Sequence, residues 1–264
     1  MTAQSPSDAM LLRADRNGVA HLTLNRPAAR NALSMALMNA LTDELGRLAE
    51  DRAVKVVVIG GAGPGFCSGH DLREMRARPE RAAYEQTFSA CSRMMQAIVR
   101  LPKPVIARVH GIATAAGCQL VATCDLAVAA ETARFATPGV NIGLFCSTPM
   151  VALSRAVGRK AAMEMLLTGE MIPAAKAREI GLVNRVVPEE ELDAEVTRLA
   201  EGIAAKSPLT LAIGKEAFYR QAEMPLADAY AYASEVMTRN MLARDAAEGI
   251  EAFLAKRAPV WSGS

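Results

Sequence analysis

Two glycine-rich loops, and the short helix predicted after the second, carry the residues with the best prospects for chemistry. The loops are GAGPGFCSGHD (61–71) and GIATAAG (111–117), and each follows a run typical of a buried strand. A helix that starts near Ala116 would direct a backbone N–H outward, supported by the helix dipole. A second N–H from the 67–71 loop can converge on the same point. Such a pair cradles an oxygen that becomes negative during a reaction, as in the enolate chemistry of a thioester.

Neither loop has the pattern of a nucleotide site. No position begins G-x-G-x-x-G, and residues 60–66 lack the Gly-Lys-Ser/Thr ending of a phosphate-binding loop. Gln119 lies three residues after Ala116, so its side chain should share the face of the helix N-terminus and lean back toward it. A neutral amide can hold a water or a hydroxyl group, but it cannot act as a general base.

The elements that must position these residues alternate between strand and helix. A hairpin turning at Arg16-Asn17-Gly18 is followed by a helix over 34–51 with Ser34 as its N-cap. The predicted order from there is strand 54–60, helix 80–101, strand 104–111, helix 115–124, strand 125–130, strand 182–188, and helices 189–206, 208–224, 227–242 and 245–256. This order predicts an α/β fold whose C-terminal part is helical.

Composition excludes several classes of function. The chain has 264 residues, 51% hydrophobic, with a net charge of +2, which gives no electrostatic footprint for nucleic acid. No window approaches a membrane span, and the N-terminal MTAQSPSDAM does not have the pattern of a secretory signal. The five cysteines lack the spacing of a disulfide framework or a zinc site, so we expect no metal. We predict a cytoplasmic location and no membrane partner.

Several segments, taken together and in order, resemble one family from about residue 10 to the C-terminus. They are FCSGHDL (66–72), PVIARVHGIATAAGCQLVATCDLAVA (104–129), FATPGVNIGL (135–144), LTGEMIPAAKAREIGLVNRVV (167–187) and FLAKRAPVW (253–261). The chain is identified by them as a member of the crotonase, or enoyl-CoA hydratase/isomerase, superfamily. Within it, A-A-G-C-Q-L and A-T-P-G-V resemble the branch called enoyl-CoA hydratase domain-containing protein 3.

The resemblance implies an α/β crotonase (ClpP-like) spiral of repeated ββα units, with a C-terminal helical region that forms trimers. We expect the core to span 10–188 and bind acyl-CoA, and 189–264 to mediate oligomerisation. It further implies a homotrimer, possibly paired into a dimer of trimers, and a role in fatty acid metabolism. No cofactor would be bound permanently, since coenzyme A arrives as part of the substrate.

By position in the family pattern, the oxyanion-hole N–H groups belong to His70 and Ala116. Family hydratases use two glutamates to add water to an enoyl thioester, and the matching positions here are Gln119 and Gly139. Each positioned acid or base is worth roughly 10²–10⁴ in rate. Losing two would cost about 10⁴–10⁸ if they act independently, and less if they act as a unit. The resemblance therefore predicts weak or absent hydration.

The same resemblance places the contacts with coenzyme A on both halves of the chain. RNAL (30–33) matches the segment beside the nucleotide, the 67–72 loop offers backbone groups, and FLAKRAP matches residues that reach a neighbouring subunit's ligand. The residues implied are Arg30, Ala32, Gly69, Asp71, Leu72, Gly111, Pro138, Gly143, Phe253 and Lys256. The acyl pocket should be apolar, formed by parts of helix 80–101 with Ile142, Leu144 and Phe145. From its position alone, Asp71 is also expected to cap the turn after it.

Three functions stay open at this point, and whether the chain is an enzyme is itself open. The first is a family protein that binds acyl-CoA and stabilises an enolate without the hydration machinery. The second is another acyl-CoA reaction, isomerisation or thioester hydrolysis, with His70 as acid or base, since imidazole titrates near neutral pH. The third is a non-catalytic acyl-CoA-binding protein. For His70 we also weigh a side chain turned into the interior, with only its N–H at the site.

Overall fold

The computed structural model describes residues 9–264. The first eight residues, which carry most of the segment judged not to be a secretory signal, lie outside this range. Within residues 9–264 no helix has the length and apolar character to cross a membrane. No group of three or more His, Cys, Asp or Glu side chains in that range is arranged to hold a metal ion.

The strands of the described residues form two sheets. They are β1 (Leu11–Arg16), β2 (Val19–Leu24), β3 (Val56–Gly61), β4 (Val105–Val109), β5 (Ile112–Thr114), β6 (Leu126–Ala130), β7 (Arg134–Ala136), β8 (Ile172–Pro173) and β9 (Arg185–Val187). The helices are α1 (Met35–Glu50), α2 (Leu72–Ala77), α3 (Arg81–Arg100), α4 (Ala116–Thr123), α5 (Pro149–Ala156), α6 (Arg159–Thr168), α7 (Ala174–Glu179), α8 (Leu192–Ala204), α9 (Pro208–Gln221), α10 (Leu226–Met241) and α11 (Arg244–Leu254).

The larger sheet has the strand order β1-β2-β3-β4-β6-β9, and only the β1–β2 pair is antiparallel. The predicted α/β architecture is therefore confirmed. Alternate residues of β3 are buried on opposite faces, because side chains of a strand point in opposite directions. Val57 and Ile59 join the main core with α1 and α3, and Val56 and Val58 join a second cluster with α8.

The smaller sheet, β5-β7-β8, was missed by the sequence analysis. Its strands have three, three and two residues, which is too short for a periodic pattern to appear. β5 pairs with β7 in parallel, with Thr114 opposite Ala136. This sheet matters for the site because the carboxyl ends of both strands lead directly into the segments that follow Thr114 and Ala136.

A buried polar network fastens α9 to the core. The ammonium group of Lys215, whose side chain is 7% exposed, donates to Asp125 Oδ2 at 2.7 Å and to the carbonyls of Ile98 and Lys103 at 2.9 Å. The Tyr219 hydroxyl donates to Asp125 Oδ1 at 2.8 Å. All three protons of the ammonium thus have acceptors, as a buried charge requires. Burial lowers the pKa of Lys215, and the Asp125 carboxylate opposes that shift.

We expect Lys215→Met to lower the free energy of unfolding by about 3 kcal/mol, because it leaves the Asp125 carboxylate buried without its cation. Urea unfolding followed by circular dichroism measures this. The matched control is Lys206→Met, at an exposed position just before α9, which should change stability by no more than about 0.5 kcal/mol. An equal effect of the two substitutions would contradict a role for the network.

Candidate active site

The junction between β5 and α4 leaves one backbone N–H free. Ala115 precedes the helix with φ 50° and ψ −119°, a conformation that L-residues rarely adopt and that costs about 1–3 kcal/mol. The N–H of Ala115 donates to Ala136 O at 2.9 Å, and the first helical bond runs from Gln119 N to Ala115 O at 3.0 Å. Ala116 is the first residue of α4, so its N–H has no acceptor within the helix.

The 67–71 segment leaves a second N–H free by the geometry of parallel pairing. Leu33 N donates to Gly69 O at 2.8 Å and Asp71 N donates to Leu33 O at 3.1 Å, which forms a parallel bridge between Leu33 and His70. In such a bridge the middle residue, His70, directs its own N–H to the opposite side. A β-carbon on Gly69 would lie 3.2 Å from Ala116 N, so this segment passes directly beside the start of α4.

The close approach of these two segments depends on two glycines. A β-carbon at Gly117 would lie 2.1 Å from Cys67 O, and one at Gly69 would lie 2.8 Å from the β-carbon of Ala115. Gly69 also has φ +98°, which favours glycine. Neither position can therefore carry a side chain without separating the loop from the helix. The structure thus brings the two segments with free N–H groups into contact, and the oxyanion hole itself stays a prediction.

Two side chains that the sequence analysis did not single out hold the loop in place. Asn31, fully buried, donates from Nδ2 to the carbonyls of Ala62 and Gly65 at 2.9 Å. Arg26 forms an ion pair with Asp71 at 2.9 Å. Asp71 also caps α2 through the N–H groups of its first turn, as expected from the sequence. Burial raises the pKa of Asp71, but the Arg26 hydrogen bond and the capping N–H groups outweigh it, so the carboxylate stays ionised and engaged.

Gln119 is turned toward α3. Its side chain is nearly buried, and its Oε1 accepts from the thiol of Cys91 at 3.9 Å. Burial raises the pKa of Cys91 to about 12, so the thiol remains protonated and able to donate. Among residues 9–264, the Gln119 Nε2 donates to no protein atom, and Gln119 borders a cavity of about 590 Å³. The lining of that cavity includes Asp125, Arg155 and Tyr219 but neither His70 nor Ala116.

The His70 ring also packs on α3. It meets Phe88 edge to face with the ring centroids 5.6 Å apart, and its Nε2 is buried without a hydrogen-bond partner among the described residues. Burial lowers the pKa of His70 to about 4. The imidazole is therefore neutral at physiological pH. The protonated form that could act as a general acid is scarcely populated there, and the neutral ring is a weak base.

Gly139 stands at the second glutamate position, and in the structure the space where its side chain would be is already filled. A β-carbon there would lie 2.5 Å from Leu144 O and 2.9 Å from Cys146 Sγ. The Gly139 N–H donates to the Cys146 thiol, whose pKa is raised by burial. The turn over 143–146 packs directly against this position, so a carboxylate side chain would fit only if the backbone moved.

The structure brings some of the predicted coenzyme A contacts together and separates others. Arg30 is exposed and its carbonyl accepts from Ser68 N, and Ala32 is buried beside the same loop. Gly111 has a φ of +58°, and a β-carbon there would lie 2.3 Å from Pro64 O, so both its backbone conformation and its packing require glycine. Leu72 begins α2 and is exposed, and Pro138 begins a 3₁₀ turn that Gly143 ends. Phe253 lies in the last turn of α11 and Lys256 follows that helix, which packs on α9 and α10.

We predict that stability falls between about pH 6.5 and pH 4 through His70. Because its folded-state pKa lies below the ordinary 6.5, the unfolded chain takes up a proton first as the pH falls, so stability is full above 6.5 and lost below it. Between about pH 7 and pH 5 the loss from this group is roughly 2 kcal/mol. Urea unfolding of wild type and His70→Gln at both pH values measures it.

The variant should lose less stability than the wild type over the same interval. The pKa of His21 is also lowered by burial, and because it is present in both proteins its contribution cancels in the difference. Identical pH dependence of the two proteins would show that the His70 ring is not desolvated as described.

Comparison with known proteins places this chain in a family. The model of the family "Enoyl-CoA hydratase/isomerase" matches residues 14–264. The chain is 50% identical over 247 residues to the mitochondrial enoyl-CoA hydratase domain-containing protein 3 of Rattus norvegicus, which covers 94% of this chain and 82% of the relative. The corresponding Homo sapiens protein is 49% identical, covering 93% of this chain and 81% of the relative.

Solved structures agree with the sequence relatives. The crystal structure of an enoyl-CoA hydratase from Mycobacterium smegmatis is 57% identical with a TM-score of 0.94, covering 96% of this chain and 99% of that one. The crystal structure of human enoyl-CoA hydratase domain-containing protein 3 is 47% identical with a TM-score of 0.93, covering 96% and 100%.

The comparisons correct one expectation and confirm another. The cytoplasmic location predicted from the sequence is contradicted, because the rat and human relatives are named mitochondrial proteins. The predicted fold is confirmed by structural neighbours across nearly the whole chain. With the family model spanning the core and the C-terminal helices alike, this chain belongs to the enoyl-CoA hydratase/isomerase family, the crotonase superfamily, in the branch of enoyl-CoA hydratase domain-containing protein 3.

Proposed function

We propose that this protein binds acyl-CoA thioesters and stabilises the enolate form of the thioester with the backbone N–H groups of His70 and Ala116. The observation that carries the proposal is that both N–H groups lie on adjoining segments and neither has a backbone acceptor among residues 9–264. Preorganised donors of this kind lower the energy of a developing oxyanion without reorganisation.

Family membership supports the ligand class. The relatives are named for enoyl-CoA, and the family model matches nearly the whole of this chain. We propose that coenzyme A is part of the bound ligand rather than a resident cofactor. The contacts assigned to Arg30, Ala32 and the 67–72 loop belong to this proposal, as do Phe253 and Lys256 acting on a neighbouring subunit's ligand.

Hydration by a pair of glutamates has no support from this site. Gln119 is a neutral amide with its oxygen already engaged by Cys91, and Gly139 has no room for a side chain. Isomerisation or thioester hydrolysis by His70 has weaker support than enolate stabilisation, because burial holds the pKa of its imidazole far below neutral pH. A purely binding protein is the remaining alternative, and the experiment below separates it.

Binding of a cinnamoyl-CoA chromophore should shift its absorbance to longer wavelength, because hydrogen bonds to the thioester carbonyl polarise the conjugated system. Ala116→Pro removes one of the two donors at a helix position where proline is well tolerated. We expect this variant to lose most of the shift and to bind the ligand about tenfold more weakly. The matched control is Arg81→Pro, at the first residue of α3, which should keep the full shift.

Circular dichroism establishes that both variants are folded. If the wild type bound the ligand without any shift in its absorbance, the protein would be an acyl-CoA-binding protein that lacks an oxyanion hole. Absence of binding would refute the proposed ligand class.

The same preparations should hydrate crotonyl-CoA very slowly. Gln119→Glu restores one carboxylate and should raise the rate by about 10²-fold, whereas Gln86→Glu, an exposed change on α3, should not. Loss of the enoyl absorbance measures the rate. Efficient hydration by the wild type would contradict the assignment of Gln119 and Gly139 as replacements for the working acid and base.

We further propose that the C-terminal helices assemble the chain into a homotrimer. Large apolar side chains are exposed on α10, α11 and the segments that follow them, including Leu226, Leu242, Phe253 and Leu254, each more than 70% exposed. Exposed apolar surface of this kind marks an interaction site. A second copy is the natural occupant, because the resemblance places Phe253 and Lys256 at a neighbouring subunit.

Sedimentation equilibrium should give the mass of a trimer or of a dimer of trimers for the wild type. Leu242→Glu should shift the mass toward the monomer, because the charge cannot be buried at an apolar interface. Arg52→Glu, an exposed change in the turn after α1, should leave the mass unchanged. A monomeric wild type would refute the proposal.

A further inference from the structure

The chain turns back along α11 once that helix has ended. Arg257 N donates to Ala252 O at 3.0 Å, a hydrogen bond that is common where a helix ends and the chain reverses. The Arg257 guanidinium then forms an ion pair with Glu248 at 2.6 and 2.8 Å, and Val260 N donates to the same carboxylate at 2.7 Å. Residues 257–264, which we call the return segment, therefore run back beside α11.

The Asp245 carboxylate, in the first turn of α11, is the point on which the return segment converges. It accepts from Ser262 N at 2.7 Å, from Ser262 Oγ at 2.8 Å and from Gly263 N at 3.1 Å. Ser207 Oγ donates to it at 2.5 Å, and Asp245 N donates to Ser264 O at 3.0 Å. Asp245 is 2% exposed. Burial raises the pKa of its carboxyl, but the hydrogen bonds from Ser207 and Ser262 outweigh burial and lower that pKa, so the group is ionised.

The return segment also connects α11 with α8 and α9. The Trp261 Nε1–H donates to Ala205 O at 2.8 Å, directly after α8. A β-carbon at Gly249 would lie 3.1 Å from the Trp261 ring, so the indole packs directly on α11. Ser207, which supplies the hydroxyl bond to Asp245, is the N-cap of α9. Three helices thus meet at the return segment.

α11 buries little apolar surface of its own. Within this helix, all of which the structure describes, only Asp245 and Ala252 are buried. Ile250, Phe253 and Leu254 are exposed, and a cavity of about 570 Å³ lies between α11 and the helices α9 and α10. Most helices are held in place by an apolar face packed on the core. The apolar face of α11 is largely unpacked, so within one chain its position depends on the polar contacts of the return segment.

Resting on the proposed function, we propose that Asp245 is a positioning residue, which fixes α11 through the return segment and so sets where Phe253 and Lys256 meet a neighbouring subunit's ligand. Phe253 lies in the last turn of α11 and Lys256 lies two residues after its end, so a movement of the helix displaces both. A carboxylate suits this role because it offers only acceptors, and the groups of the return segment that meet it are donors.

The sequence contains one tryptophan, Trp261, so its fluorescence reports the return segment directly. Asp245→Asn keeps the shape of the side chain but replaces one acceptor with an NH₂ group, which faces the donors of the return segment. We expect emission at longer wavelength and stronger quenching by acrylamide, because the indole leaves α11 for water. The matched control is Asp228→Asn, the same change at an exposed position in the first turn of α10, which should leave the emission unchanged.

The affinity for cinnamoyl-CoA separates positioning of α11 from damage to the proposed oxyanion hole. Asp245→Asn should bind this ligand about tenfold more weakly. The bound ligand should keep its full absorbance shift, because the N–H groups of His70 and Ala116 are untouched. Asp228→Asn should match the wild type in both respects. Circular dichroism establishes that the variants are folded.

Gly263→Pro tests the same contact from the return segment, and it serves also if Asp245→Asn fails to fold. Proline has no N–H and cannot adopt the φ of +74° found at this exposed position. We expect the same change in fluorescence and weaker binding of cinnamoyl-CoA. The double variant should bind no more weakly than Asp245→Asn alone, because both substitutions remove one contact.

Unchanged fluorescence in Asp245→Asn and Gly263→Pro would overturn the anchoring of the return segment by Asp245. Altered fluorescence with unaltered affinity for cinnamoyl-CoA would overturn the positioning role and leave the proposed function standing. Loss of the absorbance shift together with affinity would also overturn it, since the effect would then reach the core. Absence of ligand binding by the wild type would instead refute the proposed function.

Discussion

The site depends on the close approach of the first turn of α4 to the loop before it. Gly117 and Gly69 allow that approach, since a β-carbon at the first would overlap Cys67 O and one at the second would overlap the β-carbon of Ala115. Ala115 takes a costly backbone conformation at the same junction. The structure tolerates that strain because hydrogen bonds on both sides hold the segment, and strain of this kind is typical of functional sites.

Gln119 and His70, the two candidate catalytic residues with side chains that could exchange hydrogen bonds or protons, are neutral. The Gln119 amide is neutral and accepts from the Cys91 thiol, and burial keeps His70 uncharged. Asp71 is ionised but committed to Arg26 and to the start of α2. The site can therefore donate hydrogen bonds to oxygen atoms of a ligand but has little means of moving protons. Stabilisation of an anion is the activity that such a set of groups supports.

The order of strands and helices was predictable because each has a periodicity that extends over several turns or residues. The buried run of β3 and the four C-terminal helices appear close to their predicted bounds. The second sheet was not predictable, since β5, β7 and β8 have two or three residues each and exist only through pairing with distant segments. The residues alone predicted that Ala116 and the 67–71 loop meet, and the resemblance to a family assigned the second N–H to His70.

By itself, the sequence determined which residues occupy the site positions: a glutamine at 119, a glycine at 139 and glycines where the chain must turn. Only the tertiary structure decided what these identities mean. Cys91, twenty-eight residues from Gln119 along the chain, orients its amide, and Cys146 with Leu144 fills the space beside Gly139. Orientation and burial arise from contacts between segments far apart in sequence, and no local pattern of residue types encodes them.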